Sequence, residues 1–324
     1  MKNSRKEFIM TETVLALLIV IVAFMMFREK SLTRSDKVSV ILQDSDDSRW
    51  SALKYGLRMA AADQGVEVFV VSTEDRLTVS EAEQIAETQL EDGADALILQ
   101  PVSDDGMEEM IQKLEKKVPV LLLGSLSSEQ EEVSPPAVKA DDYEMGATLA
   151  KELLCDYSEN LEGKTIGIVS EAADSQAVIE RELGFRDTVS EFGAQVLWSV
   201  TGFRAQFDRH FLEQQDKVDF VAALDNSSTI MAGQESAANN LRGALVYGIG
   251  CSTEAVYYLD SGRCECLVVP DDFNVGYQSL SEAAGKLKKF FFYEMENRIV
   301  SHTVLRRSNL FSEENQEIIF TMNQ

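Results

Sequence analysis

Residues 38–71, VSVILQDSDDSRWSALKYGLRMAAADQGVEVFVV, decide the fold. Val38 to Leu42 is apolar but for Ser39 and reads as a strand. After a polar loop, Leu53, Gly56, Leu57, Ala60 and Ala61 recur on one face at helical spacing, until Gly65 ends the helix. Val66 to Val71, interrupted only by Glu67, is a second strand. Strand, helix and strand in this succession form a βαβ unit, and a chain that repeats the unit builds a parallel sheet covered by helices.

The rhythm continues toward the C-terminus. Thr78 and Glu81 make a capping-box pattern for a helix whose stripe is Val79, Ala82, Ile85, Ala86 and Leu90. Ala96 to Leu99 is a strand, Met107, Met110, Ile111 and Leu114 mark a further helix, and Val118 to Leu123 is a strand apolar enough to be buried on both faces. Residues 127–136, SSEQEEVSPP, form a loop, and Ala137 to Ala140 a short crossing strand. A second series begins with Asp141-Asp142, which can cap a helix through Leu149 and Leu153. Strands at Thr165 to Val169 and Val196 to Trp198, a helix at about 175–192, strand and helix pairs at 218–239 and 244–261, and a strand at Cys264 to Val269 complete it. The last segment predicts a helix from Glu282 to Arg298 and short strands at Thr303 to Leu305 and Ile318 to Phe320.

Toward the N-terminus, residues 8–27, FIMTETVLALLIVIVAFMMF, are one apolar run with no polar side chain from Val14 to Phe27. About twenty residues at ~1.5 Å rise each span the hydrocarbon core. The run ends on Phe24-Met25-Met26-Phe27 and enters Arg28-Glu29-Lys30, without the small-residue exit of a cleaved signal, so it predicts an uncleaved signal anchor. The first cysteine is Cys155, which excludes a lipidated N-terminal cysteine. Lys2, Arg5 and Lys6 before the run balance Arg28, Lys30 and Arg34 after it, and the charge count alone gives no orientation.

The expected fold is therefore α/β: two doubly wound parallel-sheet lobes joined by a hinge, preceded by one transmembrane helix. The expected segments are a short cytoplasmic piece at 1–7, the anchor at 8–27, and a linker at 28–36. An N-terminal lobe follows from 37–139 plus 270–302, with a C-terminal lobe at 140–269 and a tail at 303–324 packing near the hinge. Open parallel sheets bind ligands beyond the carboxyl ends of their strands, so the cleft between the lobes is the expected site.

Composition narrows the function. A net charge of −25 repels phosphate backbones and argues against nucleic-acid binding. Four scattered cysteines make no disulfide scaffold, and Cys264-x-Cys266 in a strand reads as packing. The two histidines, His210 and His302, sit in no nucleophile motif, and neither a metal cluster nor a phosphate-cradling glycine loop occurs. No enzyme activity, no metal and no cofactor are expected.

The stretch Asp47-Ser48-Arg49-Trp50-Ser51-Ala52-Leu53-Lys54-Tyr55-Gly56 resembles the first ligand loop and helix of the type I periplasmic binding proteins of the ribose and galactose class. Gly93-Ala94-Asp95-Ala96-Leu97-Ile98-Leu99-Gln100-Pro101 is similar to that family's G-x-D-A-(I/L)-x-x-x-P segment, and Val118-Pro119-Val120 to its I-P-V strand. Asp141-Asp142-Tyr143-x-x-Gly146, Glu180-Arg181-x-x-Gly184-Phe185 and Asp225-Asn226 continue the likeness in the family's order, over about residues 37–300. The resemblance implies solute capture by hinged lobe closure, commonly of sugars delivered to an ABC permease, with receptors and regulators among the relatives. Related regulators carry an N-terminal helix-turn-helix, where this chain has an apolar run.

Sugar sites combine an aromatic face with planar polar groups. The resemblance places Arg49 and Trp50 in the first ligand loop; Trp50 either stacks on ligand or caps the core. Asp46 and Asp47 either accept hydroxyl hydrogen bonds or cap the helix. Phe203 matches an aromatic facing the sugar, although Phe203, Phe207 and Phe211 are also spaced as a helix stripe. Asp225 matches a polar ligand contact or serves as a cap. Other family contacts are replaced: Gly124, followed by Ser125, and Gly250, followed by Cys251, stand where aspartates are expected. Ile179 replaces an arginine, with Arg181 matching a structural neighbour, and Pro270 replaces a glutamine, with Asp271 and Asp272 beside it. Ser125, Asp174, Ser175 and Asp272 are the candidate substitutes. The expectation is an extracytoplasmic, single-pass membrane protein that binds a small polar ligand, a carbohydrate by resemblance, for an ABC permease or a sensor kinase. A ligand-free scaffold that keeps the fold is the alternative.

Overall fold

The computed structural model describes residue 12 and residues 35–43, 50–73, 76–102, 106–126, 135–171, 175–203, 211–289 and 293–322. The predicted span at 8–27 lies outside these apart from Glu12, and among the described residues no helix is long and apolar enough to cross a membrane.

Two six-stranded sheets form the frame. The first is built from β1 (Lys37–Leu42), β2 (Glu67–Ser72), β3 (Ala96–Leu99), β4 (Val120–Leu123), β5 (Ala137–Ala140) and β11 (Arg298–Val300), in spatial order β11-β5-β4-β3-β1-β2. The second is built from β6 (Thr165–Ser170), β7 (Gln195–Thr201), β8 (Phe220–Ala223), β9 (Leu245–Ile249), β10 (Cys266–Pro270) and β12 (His302–Leu305), in order β12-β10-β9-β8-β6-β7. Every pairing is parallel except β10 with β12, where Pro270 stands opposite His302. In the first lobe Val40 pairs with Val70 on one side and Ile98 on the other, so β1 is flanked on both sides and its side chains, from Val38 to Leu42, are buried. Strands buried on both faces read as continuous apolar runs. Val120–Leu123 and Phe220–Ala223 are the same case.

Helices α1 (Ser51–Gln64), α2 (Val79–Glu91) and α3 (Met107–Glu115) follow β1, β2 and β3, and the Thr78 to Glu81 capping box starts α2. In the second lobe α4 (Asp142–Asp156) and α5 (Gln176–Ser190) pack on one face, with α6 (Asn226–Ala237) and α7 (Thr253–Asp260) after β8 and β9. Helix α8 (Asp272–Lys288) returns to the first lobe, where Val275, Leu280, Ala283 and Ala284 join Val38, Val40, Leu53 and Leu57 in one core. Met145, Leu149 and Leu153 of α4 join Ile166, Ile168, Phe185 and Phe220 in the other.

The chain passes between the sheets three times: at Asp141 between β5 and α4, at Asp271 between β10 and α8, and at Ser301 between β11 and β12. The first two crossings carry the same device. Asp141 caps α4 by accepting from the Glu144 amide at 3.1 Å, and Asp271 caps α8 by accepting from the Asn274 amide at 3.0 Å. Five residues after each cap a glycine meets the neighbouring helix. A Cβ on Gly146 would lie 1.9 Å from the Arg181 carbonyl oxygen, and one on Gly276 2.3 Å from that of Leu53. Reciprocally, a Cβ on Gly184 would lie 2.0 Å from the Tyr143 carbonyl oxygen and one on Gly56 2.0 Å from that of Phe273, so both helix pairs pack backbone against backbone.

Two expectations near the C-terminus are corrected. The predicted helix from Glu282 to Arg298 is instead α8, which starts at Asp272 because Asp271 caps it and stops at Lys288. Glu282 lies inside that helix, 4% exposed, and its carboxylate accepts from the Tyr293 hydroxyl, the Glu296 amide and Arg298 Nε, tying the following extended segment back onto the helix. The predicted strand at Ile318 to Phe320 is part of helix α9 (Glu313–Thr321). The run Ile318-Ile319-Phe320 is a helical face: the isoleucines pack on the Leu305 and Leu310 cluster while Phe320 is exposed beside Tyr55 of α1. The aromatic run Phe290-Phe291-Phe292 lies outside the described residues.

Candidate functional site

Between the lobes lies a cavity of about 220 Å³. Strand ends and helix starts make its wall, because each βα turn delivers a chain from the carboxyl end of a strand into the N-terminus of a helix. From the first lobe come Trp50 before α1, Gln100 after β3, Gly124 and Ser125 after β4, Lys139 on β5 and Asp272 at the start of α8. The second lobe gives Asp142 at the start of α4, Glu171 after β6, Ser175 and Gln176 at the start of α5 with Arg181 further along, and Asp225, Asn226 and Ser227 at the start of α6.

Arg181 organises the second-lobe wall. Its Nε donates to Asp142 Oδ1 at 2.8 Å and its Nη1 to the Leu224 carbonyl at 3.0 Å. The two charged side chains are 15% and 7% exposed, so this is an ion pair shielded from water. Burial pulls the guanidinium pKa down, but the charges of Asp142, Asp225 and Asp272 reverse that, and the net direction is up. Asp272 starts α8, a first-lobe helix, and acts on Arg181 across the cleft. A second link spans the lobes where Lys139 Nζ lies 3.8 Å from Glu180 of α5.

Asp225 is the N-cap of α6: its Oδ1 accepts from the Ser228 amide at 2.8 Å and its Oδ2 from the Glu171 amide at 2.7 Å. The capping aspartate therefore also fixes the end of β6. Asn226 Oδ1 accepts from the amides of Cys251 and Ser252, both at 3.1 Å, which holds the β9–α7 turn and leaves the Asn226 amide donors for the cavity.

Of the residues expected at the site, Trp50, Ser125, Ser175, Asp225 and Asp272 line this cavity. Phe203 does not. It is 5% exposed and packs on Phe211, ring centroids 4.9 Å apart, within a core cluster that includes Val169, Leu212 and Met231. Asp46, Asp47, Arg49 and Asp174 lie outside the described residues, as do Phe207 and His210. Gly124 has a left-handed φ of +102° and open space where a Cβ would stand, while Ile179 is 48% exposed and away from the cavity wall. The sequence reading missed Glu171, Lys139, Gln176 and the cavity position of Arg181. The signal for Arg181 was Asp142, a second carboxylate after the capping Asp141 that needs a buried cation.

Two parallel-sheet lobes joined by three crossings, with a polar cavity at their facing strand ends, define a hinged binding architecture of the kind that captures solutes. Residues 38–289 match the periplasmic binding protein domain family, and the chain belongs to it. Among solved structures it is similar to the solute binding protein of a carbohydrate transporter from Agrobacterium radiobacter in complex with D-arabinose. That match has 20% identity and a TM-score of 0.77, and covers 88% of this chain and 99% of that one. GanP, a glucose-galactose binding protein from Geobacillus stearothermophilus, is 16% identical with a TM-score of 0.71, over 86% and 99% of the two chains. A chain of a XylFII-LytSN complex is 14% identical with a TM-score of 0.69, over 85% and 99%. At these identities the likeness is one of fold. No curated protein matches the sequence.

Proposed function

We propose that this protein captures a small neutral sugar between its two lobes, without chemical conversion, and presents the closed form to a membrane partner. The observation that carries the reading is the composition of the cavity as its described residues line it: Trp50 as the aromatic, among hydroxyl, amide, carboxylate and two cationic groups at facing strand ends. A sugar offers a C–H face to an indole and hydroxyls to planar polar groups. A cavity of about 220 Å³ is below the usual range of roughly 300–1,000 Å³ for drug-sized ligands, which suits one monosaccharide ring. Five helices start at this wall, and the positive ends of their dipoles, each about half a charge, offset the surplus of carboxylates there. A near-balanced field suits an uncharged ligand.

Capture works as a population shift. The ligand touches both lobes only when they are closed, so it favours the closed state by the contacts that the open state lacks. The partner is an ABC permease or a membrane sensor kinase; sugar-bound transporter proteins of the same fold support the first. Residues 8–27 anchor the chain in the cell membrane with the lobes on the extracytoplasmic side, a reading that rests on their apolar length and on the family. Thermal-shift measurement of the full-length chain in detergent against monosaccharides tests the binding claim. A stabilisation of several degrees with one sugar, lost in Trp50→Ala, is expected; flat melting curves with every sugar contradict it. Protease accessibility of the lobes in intact spheroplasts tests the side.

A further inference from the structure

Resting on the sugar-binding reading, we infer that Glu171 is the hydrogen-bond-accepting anchor of the ligand and the residue that keeps acidic sugars out of the cleft. The family's expected aspartates are replaced by Gly124 and Gly250, so a carboxylate to hold a ligand hydroxyl has to come from elsewhere on the wall. Among the described residues four carboxylates line the cavity. Asp142 is held by Arg181 Nε at 2.8 Å, both oxygens of Asp225 are used in capping α6 and holding the Glu171 amide, and Asp272 acts on the Arg181 guanidinium. Glu171 differs. Among the described residues its carboxylate has neither a hydrogen bond nor an ion pair, and it is half-buried where β6 ends at the cavity.

Its backbone, by contrast, is fixed. The Glu171 amide donates to Asp225 Oδ2 at 2.7 Å, so the side chain projects from a point tied to the start of α6. A carboxylate without a donor among the described residues, on a backbone held in place by a hydrogen bond, accepts strongly from a ligand O–H or N–H. The neighbouring Asn226 amide, the Ser175 and Ser227 hydroxyls and Gln100 then serve the remaining hydroxyls of the ring. The same charge repels a ligand carboxylate. Lys139, already near Glu180, and Arg181, already paired, leave no spare cation on the described wall to compensate it.

Isothermal titration of the full-length chain in detergent, with D-glucose, D-galactose, D-arabinose, D-glucosamine, D-glucuronate and D-galacturonate, tests this. Wild type should bind a neutral or amine-bearing sugar and reject its uronate. Glu171→Ala should weaken that binding about ten- to hundredfold, the range of a charge-assisted hydrogen bond. Glu171→Gln, which keeps shape and removes charge, should narrow the gap between the neutral sugar and its uronate. Melting temperatures of the unliganded variants that match wild type show that they fold. Wild type preferring the uronate, or Glu171→Ala binding like wild type, overturns this inference alone. Wild type binding none of the six overturns the sugar-binding reading, and this inference with it.

Discussion

Arg181 shows what a single residue carries in this protein. Its charge balances Asp142 in a place where both side chains are mostly shielded, and removing it leaves Asp142 buried without a partner. Arg181→Ala should therefore destabilise the fold by about 3–5 kcal/mol, read by chemical denaturation, since an unpaired buried charge costs far more than the pair contributes. Asp142→Asn in the same background should recover part of the loss, as the uncompensated charge is gone. His302 gives a residue-scale dependence on pH. Its Nε2 lies 3.0 Å from Thr148 Oγ1, and its Nδ1 is buried with no partner among the described residues. Burial lowers the imidazole pKa from 6.5, against the opposing pull of Glu144 and Asp141. Below about 6.5 the unfolded chain then binds the proton that the folded one refuses, so stability falls as the pH drops from 6.5 toward the folded value. Urea midpoints measured across this window should decline toward acid in wild type and flatten in His302→Gln. A wild-type profile already flat there contradicts the assignment. At this scale the sequence was only partly legible: the types at Trp50, Asp225 and Asp272 announced a polar cleft, but the loop sequence of Asp225 fits cap and contact alike, and only its two amide donors show that it caps. Phe203 was misleading because an aromatic in a loop looks the same in sequence whether it faces a ligand or, as here, Phe211 and the core.

Among the elements, those fixed by periodicity were readable and those fixed by long-range partners were not. The strands at 38–42, 96–99 and 220–223 announced themselves because burial on both faces leaves them apolar, Ser39 excepted. The bounds of helix α8 are hidden in the sequence because Glu282 looks like a helix start, whereas its real role, gathering Tyr293, Glu296 and Arg298, involves residues 11 to 16 positions further on. Helix α9 has the sequence look of a strand, because three apolar residues in a row, Ile318 to Phe320, carry no period of their own. The two helix pairs make the sharpest element-scale prediction. A Cβ at Gly56 would sit 2.0 Å from the Phe273 carbonyl oxygen, a backbone atom that no rotamer change can move aside. Gly56→Ala should push α1 off α8 at a cost of at least about 1–3 kcal/mol, and Gly146→Ala should do the same to α4 and α5, each seen as a lowered melting temperature. Because α8 and α4 begin at the crossings, displacing either should also weaken ligand binding, whereas Gly65→Ala, with no atom within 4 Å, should change stability only through its left-handed φ.

For the molecule as a whole, the order of elements along the chain determined both the two lobes and the cleft between them. What the sequence could not show was how the lobes meet, since Lys139 and Glu180, or Asp272 and Arg181, are brought together across the cavity by folding alone. Those cross-cleft pairs imply that closure is helped by attraction between the lobes, so raising the salt concentration, which screens exposed pairs, should weaken ligand affinity modestly without lowering the melting temperature of the unliganded protein. The central claim is that the cleft holds one small neutral sugar, with Trp50 as its stacking face. Titration calorimetry of the full-length protein with neutral monosaccharides tests it most directly: the account predicts one-to-one binding of at least one of them, abolished in Trp50→Ala, and wild-type protein that gives no heat with any of them, or binding that survives intact in Trp50→Ala, would contradict it.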